Sequence, residues 1–224
     1  LFDLLGLPLP EGRAGILEKL LQERFISEAG KDQVHINNLG AILFAKRLTD
    51  FDTLARKAIR VIRYQGRNRV QTIRELPVAK AKGYANGFGE LVRYIDEQLP
   101  ANEVLGQAFR QEVRMYPEVA VRELVANALI HQDFGVGGDG PKVEIFDDRV
   151  EITNPGRSLI DTLRFVDEPP QSRNEHLAAM MRRMNICEER GSGIDKALFE
   201  IELHQLPAPE FRVTEQHTVT VLFA

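Results

Sequence analysis

The sequence predicts an α+β fold of 224 residues, on three observations. Apolar residues recur at helical spacing in some segments, whereas β-branched residues cluster in others. Helices and strands alternate without the regular strand–helix–strand repeat of a parallel sheet, which favours a layered α+β arrangement. A hydrophobic content of 43% and a charged content of 28% are typical of globular chains, and they exclude disordered and collagen-like classes.

The N-terminal half is predicted to combine helices with one β-hairpin. In chain order we expect a helix at 14–28, a short helix within 35–45, strands at 57–64 and 70–76, a helix at 84–99 and a strand at 111–115. Asn37 and Asn38 suit the start of the short helix as caps, and Pro100 ends the helix before it. Residues 65–69 contain a glycine and predict the hairpin turn.

The C-terminal half shows a sharper pattern. In chain order we expect a helix at 117–131, a glycine-rich loop at 134–140, strands at 142–146 and 149–153, helices at 173–184 and 194–203, and strands at 211–213 and 218–223. Pro117 suits the first position of its helix. Asp147 and Asp148 indicate a tight turn rather than a metal site. The run Asn154-Pro155-Gly156 is expected to break the second strand.

Charge is distributed unevenly, although the formal net charge is only −4. Nine basic residues and the single acid Glu75 lie between Arg56 and Lys82. Such a block can attract phosphate groups of nucleic acid or nucleotide. Alternatively, Arg60 and Arg63 decorate the solvent face of a strand. The absence of an aromatic-interleaved reader motif favours the strand interpretation.

The cysteine count and the lengths of the apolar runs bear on location. Cys187 has no second cysteine to pair with, so we expect a reducing, cytoplasmic setting and a buried structural thiol. The apolar runs fall far short of the roughly 18 residues that a membrane span needs, so no membrane partner is expected. Leu1 in place of Met suggests a piece of a longer protein.

The helix at 117–131 carries a polar stripe. Glu123, Asn127 and His131 are spaced at i, i+4 and i+8, which places them on one side of an otherwise apolar helix. Burying such groups without partners costs roughly 2–7 kcal/mol for each polar group. The stripe is therefore either a solvent-facing strip or a buried set that water, an arginine or a metal-bound ligand must satisfy.

Glycines break the chain at points where a phosphate could approach the backbone. Gly156 follows a strand, and Gly191, Ser192 and Gly193 lead into a helix. Glycines at a helix start let backbone N–H groups reach an anion, and the helix dipole adds favourable potential there. Together with the polar stripe, this order indicates an anion-binding site more specifically than any glycine alone.

Four segments carry a resemblance to a known family. They are RELVANALIHQDF (122–134), DDRVEITNPG (147–156), SRNEHLAAMMRR (172–183) and ICEERGSGIDK (186–196). They resemble the C-terminal domain of RecG-helicase-related transcriptional regulators, which belongs to the GHKL (Bergerat) ATPases together with gyrase, histidine kinases and MutL proteins. The resemblance is close over 115–223 and looser back to Leu1. It implies a layered α/β sandwich of GHKL type at 113–224, preceded by an N-terminal α+β extension at 1–112.

The resemblance also implies roles for individual residues. Glu123 matches the general base and Asn127 the Mg²⁺ ligand of an ATP site. Asn154 matches the residue that accepts from adenine, followed by Gly156, and Gly191, Ser192 and Gly193 match the phosphate loop. Residues 157–190 would form a nucleotide lid, and four arginines of this segment could meet a phosphate: Arg173, Arg182, Arg183 and Arg190. Arg190 is the preferred phosphate candidate, Arg173 is a further one, and Arg182 and Arg183 fit a solvated helix face better.

Three departures from the family pattern shape the functional hypotheses. Asn154 replaces an aspartate, Ser158 replaces a glycine, and Asp195 brings a carboxylate near the expected phosphates. The leading hypothesis is an ATP- and Mg²⁺-binding regulatory domain, in which lid closure moves DNA-binding parts in flanking domains. The alternative is a degenerate fold that acts as a dimerisation or interaction module without nucleotide. A homo-oligomer is expected in either case.

The sequence also bears on two further functions, DNA binding and a helicase motor. Direct DNA binding through the block from Arg56 to Lys82 is a third, weaker hypothesis. The sequence holds no Gly-x-x-x-x-Gly-Lys-[Ser/Thr] phosphate loop, so a helicase motor is not expected. Weak ATP hydrolysis is left open.

Overall fold

The computed structural model describes residues 1–30, 33–77, 80–105, 110–159, 171–188 and 193–224, with backbone alone at 101–105 and 110–114. The helices in these parts are α1 (Gly12–Gln22), α2 (Asn38–Phe44), α3 (Tyr84–Gln98), α4 (Glu118–His131), α5 (Glu175–Arg183) and α6 (Gly193–Leu203). The strands are β1 (Ile26–Gly30), β2 (Gln33–Ile36), β3 (Arg60–Tyr64), β4 (Thr72–Glu75), β5 (Ala101–Leu105), β6 (Arg110–Arg114), β7 (Lys142–Ile145), β8 (Arg149–Pro155), β9 (Glu210–Val213) and β10 (His217–Phe223).

A six-stranded mixed sheet organises the molecule, in the order β4-β3-β7-β8-β10-β9. Its neighbours are antiparallel except β3 and β7, which run parallel. The strands β1 and β2 form a separate hairpin, as do β5 and β6. The predicted α+β fold class is confirmed.

One face of the sheet packs against the helices. Alternate residues of β7 and β8 point to this face because side chains alternate along a strand, and they are fully or almost fully buried. They are Val143, Ile145, Val150 and Ile152. Helix α4 contacts both β8 and α6 and buries nine of its residues, so it lies in the middle of the core. A helix that is apolar on nearly all sides is stable only in such a position.

The N-terminal segment is joined to the rest through the sheet and a buried polar chain. The Tyr84 hydroxyl donates to the Lys57 carbonyl over 2.7 Å and accepts from the Gln132 amide over 2.6 Å. Tyr84 and Gln132 are buried, so each bond forms in a place that water does not reach. The boundary at residue 112 stays a prediction, but β3 and β4 from before it share one sheet with the strands after it.

Several predicted boundaries are wrong in detail. The helix expected at 14–28 ends at Gln22, because Arg24 adopts a positive φ of 60° and the chain then enters β1. Asn37 does not cap α2 with its side chain; its amide donates to the Arg24 carbonyl and its oxygen accepts from Ser27. Pro117 precedes the first residue of α4 rather than occupying it.

The strand expected to break at Asn154 continues through Pro155. Asn154 pairs with Thr218 and Pro155 with His217 of β10, and the break comes at Gly156, which has a φ of +101°. Among the helices described, none is both long enough and apolar enough to cross a membrane.

Candidate functional site

A cleft of about 670 Å³ opens between α4, α5 and the start of α6. It is lined by Glu123, Asn127, Ile130, His131, Leu159, Gln171, Ser172, Glu175, His176, Ala178, Ala179, Arg182, Cys187, Glu188 and Gly193. The whole polar stripe of α4 faces this cleft. Glu123 is buried, whereas Asn127 and His131 are partly exposed, so the stripe lines a cleft and is neither a fully buried set nor a solvent-facing strip.

Glu123 is the most deeply buried polar group of the cleft, with 2% of its surface exposed. Its Oε2 has no hydrogen-bond partner among the described residues. Burial raises the pKa of the Glu123 carboxyl above its usual value, and the Arg122 charge and a hydrogen bond from the Glu188 backbone offset the rise only in part. A buried carboxylate oxygen without a partner is costly, so this atom is suited to a ligand or a proton.

Gly193, the first residue of α6, makes room for the Glu123 carboxylate. A Cβ at Gly193 would lie 2.9 Å from Glu123 Oε2 and 3.8 Å from Asn127 Nδ2. A side chain there would therefore displace the carboxylate or the helix. The three predicted site residues Glu123, Asn127 and Gly193 thus lie together.

His131 completes the stripe at the other end. Burial, helped by the charges of Arg173 and Arg182, lowers the pKa of His131 from 6.5 to about 4. The imidazole is therefore neutral at physiological pH and can donate or accept a hydrogen bond in the cleft.

Asn154 and Gly156 lie to one side of this group. Asn154 shares a sheet face with Val150 and Ile152, so it points toward the helices, and its amide makes a long 3.4 Å bond to the Pro155 carbonyl. It is not among the residues that line the cleft. A Cβ at Gly156 would lie 2.7 Å from both Asp133 Cβ and Arg173 Nη1, so these two residues fill the space beside it.

The segment at 172–174 has a role that the sequence did not reveal. Asn174 donates from its amide to the carbonyls of Ile130 and Gln132, both over 2.7 Å, and Arg173 donates to the His131 carbonyl over 3.3 Å. These carbonyls end α4 and have no partner within the helix. The segment therefore caps the helix that carries the polar stripe. The capping partner is 42 or more residues away in sequence, so no local pattern could indicate it.

The arginines expected near phosphate differ in their surroundings. Arg173 also lies 3.5 Å from Asp133 and donates to the Arg157 carbonyl, while Arg183 forms a bidentate pair with Glu23 at 2.7 and 3.0 Å. Arg182 lines the cleft. Arg190, Gly191 and Ser192 lie outside the described residues, so their predicted roles are neither supported nor contradicted.

Asp195 lies on the exposed side of α6 and does not line the cleft. Its carboxylate lies in the first turn of α6, where it interacts favourably with the helix dipole and so stabilises the helix. Two contacts fix residues that precede α6 in the chain, Asn185 and Glu188. Arg122 donates to the Asn185 carbonyl over 2.6 Å, and Glu188 pairs with Lys196. Cys187 is half-buried, and burial raises the pKa of its thiol to about 11, which keeps it protonated and poorly reactive.

Part of the chain matches a model of a known protein family. Residues 138–223 match the family model "Putative ATP-dependent DNA helicase recG C-terminal". The match covers 86 of 224 residues and supports a RecG-related, ATPase-like domain over that range. Asn154, Gly156 and Gly193 lie inside it, whereas Glu123 and Asn127 precede it. We found no match to this chain among curated proteins.

A solved structure has a similar fold. The crystal structure of the DIP2311 protein from Corynebacterium diphtheriae superposes with a TM-score of 0.73 at 19% sequence identity. The alignment covers 92% of the present chain and 40% of the DIP2311 chain, so the present chain spans less than half the length of that protein. At this identity the likeness concerns the fold alone.

The residues of the cleft fit a nucleotide that arrives with its own divalent cation. The amide oxygen of Asn127 is an oxygen donor of the kind that Mg²⁺ accepts, and the unpartnered Glu123 Oε2 beside it can accept a hydrogen bond from a metal-bound water. No group of three or more His, Cys, Asp or Glu side chains in the described parts could hold a metal ion by itself. Mg²⁺ commonly completes its coordination with substrate phosphates and water, so this small donor set suits a metal–nucleotide complex.

The basic block from Arg56 to Lys82 is largely paired within the molecule. Arg60 contacts Glu75 and Asp139, each at 2.9 Å, and Arg63 contacts Asp147 at 2.6 Å. Arg69 bridges Glu144 and Glu151, while the buried Lys57 donates to the Val136 carbonyl over 2.8 Å. The carboxylates of the C-terminal half neutralise much of this block. Direct DNA binding through it stays a prediction that these contacts do not favour.

Proposed function

We propose that this chain is the nucleotide-binding regulatory part of a RecG-related protein, and that it binds Mg²⁺–ATP in the cleft between α4, α5 and α6. The single observation that carries the proposal is Glu123 Oε2. It is a buried carboxylate oxygen without a described partner, and it lies against Gly193, where a side chain would displace it. The family match over 138–223, which includes α5, α6 and Gly193 but not α4, supports an ATPase-like domain.

The chain's own residues divide the work in this proposal. Asn127 holds the metal–phosphate complex with its amide oxygen. The metal, when bound, neutralises phosphate charge and orients the phosphates. Glu123 orients and deprotonates a water molecule if hydrolysis occurs, and its raised pKa brings it closer to the range useful for a general base. Asn154, on the helix-facing side of β8, accepts from the adenine amino group.

The regulatory part of the proposal concerns residues 157–190. We propose that they close over the nucleotide and move DNA-binding parts outside this chain, as in a transcriptional regulator. The described part of this segment supports such coupling, because α5 lines the cleft on one side and contacts Glu23 and α2 on the other.

The first test is ligand-induced stabilisation. Binding of Mg²⁺–ATP at 100 times its dissociation constant should stabilise the fold by about 2.7 kcal/mol, measured by thermal shift and confirmed by calorimetry. Asn127→Ala should abolish the shift, because the metal–phosphate complex loses its amide ligand. Asn86→Ala is the matched control, since Asn86 donates to the Phe44 carbonyl away from the cleft. No shift in the wild type at millimolar ATP would contradict the proposal.

Hydrolysis is tested separately. If the chain turns ATP over, Glu123→Gln should keep the nucleotide-induced shift and lower the rate by about 10²–10⁴-fold, because an amide cannot take up the proton. Unchanged turnover in Glu123→Gln would remove Glu123 from the role of base while leaving the binding proposal intact.

One observation favours the alternative, an interaction module without nucleotide. Asn154 does not line the cleft, and Arg173 and Asp133 fill the space beside Gly156. In that case the homo-oligomer, measured by sedimentation velocity, should be indifferent to Mg²⁺–ATP. It should also survive Glu123→Ala and Asn127→Ala. A nucleotide-dependent change of mass would contradict the module.

A further inference from the structure

The arginines around the cleft are not equivalent, although Arg182 and Arg183 are neighbours on one helix. Arg183 is exposed and bound to both oxygens of Glu23. Arg182 is only partly exposed and lines the cleft. No hydrogen bond or ion pair joins Arg182 to another described residue, so its guanidinium has no fixed partner within the described chain.

The cleft otherwise has an acidic lining. Glu123, Glu175 and Glu188 are its carboxylates, and Arg182 is the permanently charged cation among its described lining residues. Carboxylates repel an anionic ligand, so a positive charge besides the metal favours the binding of a polyphosphate here. The Arg182 charge reaches the stripe of α4, since it contributes to lowering the pKa of His131.

We infer that Arg182 binds the phosphate groups of the nucleotide and makes the cleft selective for nucleoside polyphosphates over nucleosides. This inference rests on the proposed nucleotide site and deepens it. A guanidinium presents paired N–H donors that match phosphate oxygens, and a charged hydrogen bond of this kind is stronger than a neutral one. The position of Arg182 on α5 also connects phosphate binding to the helix that contacts Glu23 through Arg183.

A purely structural role for Arg182 would have a different origin. Both arginines lie in the last turn of α5, where a positive charge interacts favourably with the helix dipole and stabilises the helix. That effect is common to the two residues, whereas contact with the cleft belongs to Arg182. Arg183→Ala is therefore a matched control for Arg182→Ala.

The experiment is calorimetric titration of the wild type and both variants with ATP, ADP and adenosine in the presence of Mg²⁺. We expect Arg182→Ala to weaken ATP binding by about tenfold or more, because a charged hydrogen bond is lost. Adenosine binding should not change, and Arg183→Ala should bind all three ligands like the wild type. Arg182→Lys should recover part of the ATP affinity, since it keeps the charge but not the fork.

The outcomes separate the two proposals. If the wild type binds ATP and Arg182→Ala binds it equally well, Arg182 is not the phosphate ligand while the nucleotide site stands. If Arg182→Ala loses ATP and adenosine affinity together, the residue supports the fold of the cleft and the inference is overturned. If the wild type binds no nucleotide, the proposed function fails and the inference fails with it. Thermal melting of each variant checks folding, and Arg182→Gln replaces Arg182→Ala if the latter unfolds.

Discussion

The pKa of His131 reflects the burial and the charges at one end of the cleft. Its ring lies at the end of the α4 stripe, where burial and two arginine charges lower its pKa to about 4. The cleft therefore disfavours an additional positive charge at this end in the absence of a ligand. A bound anion would oppose that effect, so the protonation of His131 reports on what occupies the cleft.

The His131 shift predicts a pH-dependent stability. Between pH 6.5 and 4 the unfolded chain binds a proton at His131 that the folded chain does not, so stability falls as pH falls through this window. Because the ring is partly exposed, we expect the wild type to lose about 2 kcal/mol more than His131→Gln between pH 7 and 4. Urea denaturation at both pH values measures the difference. Equal losses in the two proteins would contradict it.

At the scale of elements, the helix that carries the site depends on a distant cap. Asn174→Ala removes the two amide hydrogen bonds that the carbonyls of Ile130 and Gln132 accept at the end of α4. We expect a loss of about 1–2 kcal/mol in the free energy of unfolding, measured in urea. Asn68→Ala, which removes an exposed turn bond to the Val70 amide, should cost less than about 0.5 kcal/mol. Equal effects would contradict the capping role.

Some features of the helices and strands can be predicted from the sequence, and others cannot. The spacing of Glu123, Asn127 and His131 identifies one face of α4, because helix periodicity alone fixes that face. Periodicity cannot say which of Arg182 and Arg183 meets the cleft, since adjacent helical residues differ by about 100° and tertiary packing decides between them. For the same reason the sequence does not indicate the cap at Asn174, whereas it does predict the β3–β4 hairpin, whose two strands are close in the chain.

Helix α5, which lines the cleft, also contacts the N-terminal segment. Arg183 of α5 and Glu23, which follows α1, form a bidentate pair, and this hydrogen bond lowers the pKa of Glu23 to about 2. Glu23→Gln should therefore weaken the attachment of α1 without touching the cleft. We expect the variant to be cleaved faster by a protease within α1, as measured by gel electrophoresis. Its ATP affinity should be unchanged. Unaltered cleavage would mean that the pair does not hold α1.

At the scale of the whole molecule, the two halves form one sheet and share a buried polar chain. Removing the hydroxyl in Tyr84→Phe leaves the Lys57 carbonyl without that donor and the Gln132 amide without that acceptor, both inside the core. We expect a loss of about 2 kcal/mol. Because β3 pairs with β7 across the boundary at residue 112, the variant should still unfold in one transition, with circular dichroism and tyrosine fluorescence changing together. Two separate transitions would instead show that the halves fold independently, and residues 113–224 should then fold alone.

If the single transition holds, the fragment 113–224 would expose the edge of β7 and the apolar surface of α4 that contacts α3, so it should aggregate rather than fold.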